Sequence, residues 1–178
     1  LIPDMIKSAQ QRTRNMQEEP LLAPNRLADV LAERREAPAL SSIPAKSLED
    51  LNDGLNSCVR CPLYKDASQA EYGEGPSSAQ LMLVGEQPGD KEDIAGRPFI
   101  GPAGQLLDEA LADSGIDRSE TYVTNAVKHF KFTPRGRRRL HERPTTSEVM
   151  HCKWWLESEI TLVKPTLIMA LGATAARA

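Results

Sequence analysis

Apolar positions along the chain switch between two periods, and that switching predicts alternating strands and helices. Gln80 to Gly85 (QLMLVG) is a short apolar run with the length of a buried strand, and Thr121 to Val127 (TYVTNAV) is a second, β-branched and aromatic one. Thr166 to Gly172 (TLIMALG) reads as a third strand, with a further helix starting at Ala173. Leu106, Leu107, Ala110 and Leu111 recur at helical spacing, which predicts a helix over Gly104 to Ser114 closed by Gly115. Thr145 and Glu148 have the capping-box spacing, so a helix should run through Trp154, Trp155 and Leu156 to about Val163 and stop before Pro165. Ser47 and Asp50 repeat that spacing ahead of Leu48, Leu51 and Leu55, a helix that delivers the chain to Cys58. Strands alternating with helices predict an α/β fold of three layers, αβα, around a mostly parallel central sheet.

The stretch from Leu1 to residue 46 differs in character. It holds five of the 13 prolines and reads as a linker or the tail of an upstream domain, with one short helix capped by Asn25 and faced by Leu27, Val30 and Leu31. Residues 47–178 are then the domain. The first residue is not Met, and Ala178 falls in the first turn of a helix, so the chain is expected to be a piece at both ends. Over its 178 residues 22 Lys and Arg face 25 Asp and Glu, a net charge of -3 that by itself speaks against nucleic-acid binding. With 40% apolar and 26% charged residues, collagen-like, disordered and disulfide-scaffold classes are excluded. The longest weakly polar stretch, Thr166 to Ala178, falls short of the ~18 residues a membrane span needs, and no signal peptide is visible. Three cysteines suit a reducing, cytoplasmic compartment better than a stapled secreted scaffold.

Three constellations carry chemistry. Five of the 11 glycines fall within Gly85 to Gly104 (GEQPGDKEDIAGRPFIGPAG), after a strand and before a helix, where open α/β sheets place a ligand crevice. The segment is neither a Walker loop nor a GxGxxG fingerprint. Of its acids, Glu86 and Asp90 are the functional candidates, whereas Glu92 and Asp93 read as solvated loop charges; Phe99 is an aromatic placed to stack on a flat ligand. Cys58-Val-Arg-Cys61 pairs two thiols at chelating spacing; with Cys152 and one histidine it would make a Cys3His site for zinc or a four-iron cluster. Lys128 to Arg143 (KHFKFTPRGRRRLHER) reads as a long basic loop of seven bases and one acid, net +6, which leaves -9 on the remainder. Cations interleaved with Phe130 and Phe132 suit phosphates and stacked bases of a single strand, and the acidic remainder would repel DNA elsewhere.

Taken together, GEQPGDKEDIAGRPFIGPAG, TNAVKHF, RRRLH and the CxxC-Pro-Leu-Tyr segment resemble the uracil-DNA glycosylase superfamily over about Leu55 to Ala178. The general pattern is that of the family 4 iron-sulfur enzymes of DNA base excision. Gln87 after the Glu, His129 where family 4 has cysteine, and the Arg-rich insert ending in His141 resemble the UdgX type, which becomes covalently attached to the DNA it has cut. The resemblance implies a 4Fe-4S cluster on Cys58, Cys61, His129 and Cys152. It implies Phe99 stacked on an extruded uracil, Asn125 reading its polar edge, Gln87 at the same pocket, and Asp90 beside the sugar. His141 would attack the anomeric carbon with Glu86 holding the imidazole, and Lys128, Arg137, Arg138 and Arg139 would gather the phosphates. The implied partner is uracil-containing DNA, preferentially single-stranded, met by a monomer. A His-Pro-Ser segment of the family lies beyond Ala178. The competing readings are a conventional turnover glycosylase, an idle single-strand binder with a structural cluster, and a zinc protein.

Overall fold

The computed structural model describes residues 45–178, so the helix expected from Asn25 lies outside the described residues. In chain order the elements are α1 (Leu48–Asn56), β1 (Leu81–Gly85), α2 (Asp90–Ala95), α3 (Pro102–Asp113) and β2 (Thr121–Asn125). They are followed by β3 (Phe132–Arg135), β4 (Arg138–His141), α4 (Thr146–Val163), β5 (Leu167–Ala170) and α5 (Ala173–Arg177). Helix α4 starts on the expected capping box: Thr145 Oγ1 accepts from the Glu148 N–H at 3.2 Å while Glu148 Oε2 accepts from the Thr145 N–H at 2.6 Å. In α1 Ser47 Oγ accepts from the Asp50 N–H at 3.1 Å, but Asp50 returns its bond to the Lys46 N–H, one residue earlier than expected.

β1, β2 and β5 form a parallel sheet in the order β2-β1-β5. Because β1 is central, the crossover through α3 and the one through α4 run to opposite sides of it. Right-handed crossovers in opposite directions must lay their helices on opposite faces. The packing agrees: Leu83 and Val123 meet Leu111 of α3, whereas Met82, Val84 and Tyr122 meet Leu156 and Val163 of α4. The three-layer α/β fold is therefore present, and β1 and β2 are covered on both faces. A further cluster at the Cys58 end joins Leu51 and Leu55 of α1 to Val127, Val149 and Trp155. No helix among the described residues is long and apolar enough to cross a membrane.

Two sequence expectations change. The glycine-rich segment contains the short helix α2, and the basic segment is a β-hairpin, β3 paired antiparallel with β4, where a loop was expected. Arg135-Gly136-Arg137-Arg138 makes its two-residue turn. Gly136 takes φ +61 at the first central position, which a β-carbon would resist.

Candidate active site

The carboxyl ends of parallel strands are where an open sheet leaves a crevice, and here Gly85 of β1 pairs in register with Asn125 of β2 at that edge. Above it lies a cavity of about 420 Å3 whose lining includes Gln87, Asp90, Phe99, Asn125 and His141. Residues 87 to 103 reach it through the turn and α2, Asn125 through the last position of β2, and His141 through the last position of β4. The floor has no room for a side chain at Gly85. A β-carbon there would overlap Asn125 Oδ1 and lie 2.5 Å from Cζ of Phe99. Gly85→Ala should therefore displace the ring and the amide together, costing about 1–3 kcal/mol in a denaturant titration through the buried bond Asn125 makes and weakening ligand binding about tenfold. Phe99 holds φ 54, a costly left-handed conformation for an aromatic residue, in a cavity wall.

Glu86 directly follows the last residue of β1. Its Oε1 is 3.8 Å from His141 Nε2, its Oε2 is 3.8 Å from Arg143 Nε, and it accepts a hydrogen bond from the Thr174 hydroxyl of α5. The carboxylate is thus fixed from the β5 side while it faces the imidazole, whose side chain is half exposed.

Gln87 lines the cavity, but its amide is already engaged. Nε2 donates to the carbonyls of Lys131 and Glu142 at 3.1 Å each, and Oε1 accepts from the Lys131 N–H at 3.0 Å. It clamps both strands of the hairpin at their base. It thus positions the hairpin that carries His141 while remaining in the cavity lining.

The basic segment is corrected most. Lys128 is fully buried, its Nζ 2.7 Å from Glu159 Oε2, so it cannot reach a phosphate. Phe130 is 2% exposed and stacks no base. Arg139 is spoken for: its Nε meets Asp90 Oδ1 at 2.6 Å, its Nη1 meets Asp93 Oδ2 at 2.5 Å, and its guanidinium lies over the rings of Phe130 and Phe132. It fastens the hairpin to α2 rather than binding DNA. Lys131 pairs with Glu142 and Glu148. Among the described residues no carboxylate pairs with Arg135, Arg137 or Arg138, so the free positive charge narrows from the whole segment to the exposed hairpin turn. The acids of α2 also differ from expectation. Asp93 is fully buried and accepts the Ser68 N–H besides Arg139, and the buried Glu92 accepts the Gly101 N–H at 2.6 Å; both are structural anchors, not solvated charges.

One residue of the site escaped the sequence reading. Glu71 is completely buried behind Asn125, whose Nδ2 donates to its Oε1 at 2.6 Å. Burial pushes its carboxyl up to about 8, against the lowering effects of the Asn125 bond and the Lys128 charge. A carboxyl whose folded value lies above its unfolded 4.5 stabilises the fold fully only below that unfolded value, and the contribution is lost as pH rises toward 8. Relative to a Glu71→Gln variant, the wild type should lose about 1.4 kcal/mol per pH unit between roughly pH 5 and 8. Denaturant titrations at three pH values check this; parallel curves would contradict it.

At the other pole Cys58, Cys61 and Cys152 are free and buried, packed in one cluster around Val127. Each thiol faces an N–H donor: Trp155 Nε1 for Cys58 and the Lys128 backbone for Cys152, both at 3.2 Å, and the Leu63 backbone for Cys61. Burial pushes the Cys152 thiol up to about 12, against the lowering effects of the Lys128 backbone bond and charge. His129 is 5% exposed, burial pushes its imidazole below the usual range, and its Nδ1 has no hydrogen-bond partner. Buried thiols with N–H donors and an orphaned imidazole nitrogen suit a soft metal centre. Among the described residues, though, no three Cys, His, Asp or Glu are grouped so as to hold one metal ion.

The fold and this edge define an α/β protein with a crevice of about 420 Å3, walled by a ring, an amide and an imidazole, at the ends of its parallel strands. The model of the uracil DNA glycosylase superfamily matches residues 72–178, and the chain belongs to that superfamily. It is 42% identical over 131 residues to a type-4 uracil-DNA glycosylase of Pyrobaculum aerophilum, a match covering 74% of this chain and 63% of that protein. Those of Thermotoga maritima and Archaeoglobus fulgidus are 39% identical over 128 residues and 37% over 132, covering 72% and 74% of this chain. The chain spans 63% of the length of each of these relatives.

Proposed function

We propose that this protein excises uracil from DNA, preferentially single-stranded, and becomes attached through His141 to the sugar it uncovers. The observation that carries the reading is a single cavity lined by Phe99, Asn125, Asp90 and His141, with Glu86 behind the imidazole. Its superfamily membership and the curated relatives named type-4 uracil-DNA glycosylases support the substrate. The Gln87, His129 and RRRLH features support the self-trapping variant over ordinary turnover.

Arg137 and Arg138, exposed on the turn of the hairpin that carries His141, gather phosphates, and Lys128 and Arg139 take no part. A uracil swings out of the strand, most cheaply where no duplex must open, and stacks on Phe99 while Asn125 meets its polar edge. The C1′–N1 bond breaks with its electron pair leaving on N1 of uracil. Asp90, with Oδ1 held by Arg139, keeps Oδ2 to face the sugar cation that remains. A ring nitrogen of His141 gives its lone pair to C1′, and the imidazole proton passes to Glu86. The new carbon–nitrogen bond has no good leaving group, so turnover ends. Where water makes the attack instead, the protein is a conventional glycosylase.

Cys58, Cys61, His129 and Cys152 are the residues proposed to hold a 4Fe-4S cluster, which when bound would cross-link α1, the segment after β2 and α4. Iron and labile sulfide in the purified protein, with visible absorbance, are the expected result. A colourless protein with stoichiometric zinc would overturn the ligand assignment. The catalytic reading is tested by incubation with a single-stranded uracil oligonucleotide and a denaturing gel.

A further inference from the structure

Glu71 makes a second contribution that rests on reading the cavity as a uracil pocket. An acid buried to 0% exposure is expected to be fully partnered, yet only Oε1 is engaged; Oε2 is buried with no hydrogen-bond partner. The nearest cation does not explain it, because the ammonium of Lys128 is bound to Glu159 and Thr124. Glu71 is held by its own backbone, its N–H donating to the Lys128 carbonyl at 2.8 Å, so the carboxyl is fixed in place behind β2. What it touches is Asn125.

An asparagine amide has two unlike ends, a donor and an acceptor, and which end faces a ligand decides what the ligand must present. Glu71 Oε1 accepts from Nδ2 at 2.6 Å, which leaves Oδ1 over Gly85 beside the Phe99 ring, on the cavity floor. Oε1 can accept whether or not Oε2 carries a proton. Uracil presents an imide N–H next to a carbonyl, and cytosine presents a bare ring nitrogen next to an amino group. Held opposite the ring nitrogen, Oδ1 accepts from the imide N–H of uracil and is repelled by the bare nitrogen of cytosine, whose amino group could meet it only if the base shifted along its edge. A flipped amide would reverse the preference.

We propose that Glu71 is a positioning residue that locks the Asn125 amide with Oδ1 toward the base pocket, and thereby sets the preference for uracil over cytosine. Glu71→Gln keeps the shape but offers an N–H that can bond Oδ1, so either amide orientation becomes possible; Glu71→Leu removes the lock. In the intact protein, both variants should slow single-turnover uracil release about tenfold, the equivalent of one misdirected hydrogen bond. The ratio of inhibition by free uracil to inhibition by free cytosine should fall similarly, while affinity for an abasic single strand stays at the wild-type value. A merely structural role would not move that ratio. Should a variant fail to fold, the side-chain amide resonances of 15N-labelled wild type give the same answer: one Asn125 amide proton shifted downfield and slow to exchange. Two fast-exchanging protons, or an unchanged ratio in an active variant, overturn the proposal. A wild type that neither releases uracil nor binds it overturns the pocket reading beneath it, a result distinct from unchanged selectivity.

Discussion

Replacing His141 with alanine is expected to abolish the covalent protein–DNA product while leaving the fold and DNA binding unchanged. His141 ends β4 opposite Phe132, half exposed, so truncation opens no cavity in the core. It removes the one imidazole on the wall shared with Asn125 and Phe99. The sugar cation must then wait for water, and adduct formation should fall by about 100-fold or more, the usual scale for losing a positioned reacting group. Uracil release is expected to persist at a reduced rate, because Phe99, Asn125 and Asp90 remain. Quantifying adduct and free base in the same reaction separates the two steps. Loss of both together would move His141 from nucleophile to a role in bond breaking. Glu86→Gln should slow adduct formation less, since it leaves the imidazole in place and removes only its proton acceptor.

The largest effect on stability is expected at Lys128. Its ammonium lies at 0% exposure, 2.7 Å from Glu159 Oε2 and 2.5 Å from Thr124 Oγ1, and the Thr124 hydroxyl donates to the same carboxylate at 2.9 Å. Removing one partner strands the other as a buried charge. Lys128→Met should cost about 3–5 kcal/mol, a large share of the roughly 5–15 kcal/mol that stabilises an ordinary domain. The double variant Lys128→Met with Glu159→Leu should recover most of that loss, because a matched apolar pair in the same space costs little. Chemical denaturation of the three proteins tests this. A single variant within 1 kcal/mol of wild type would contradict the buried pairing, and an equally damaged double variant would point to packing instead.

These two residues also mark what could and could not be read along the chain. Strands with both faces covered are rich in apolar, β-branched and aromatic residues, so QLMLVG and TYVTNAV stood out, and the Thr145 capping box located the start of α4. Glu86 followed from the end of the first of those strands, whereas Asn125 was indicated by the family resemblance. Net charge over Lys128 to Arg143 was less informative, because a window sum ignores where each side chain points. Lys128 follows β2 into the core, Arg139 turns back onto two carboxylates, and only the turn keeps its charge. The hairpin itself had a local signal, a single Gly136 between two basic residues in a run of β-compatible positions, masked by the density of arginines. Glu71 had none. Its role arises where the segment before β1 crosses the end of β2, a contact between residues 54 apart.

The central claim is that the group lining this cavity that captures the sugar is His141. It is tested most directly by incubating the protein with a single-stranded oligonucleotide carrying one uracil and running the products on a denaturing gel. A band of protein plus DNA that survives denaturation, requires the uracil, and is missing with His141→Ala is the predicted result. Release of many uracils per protein molecule with no surviving adduct would contradict it.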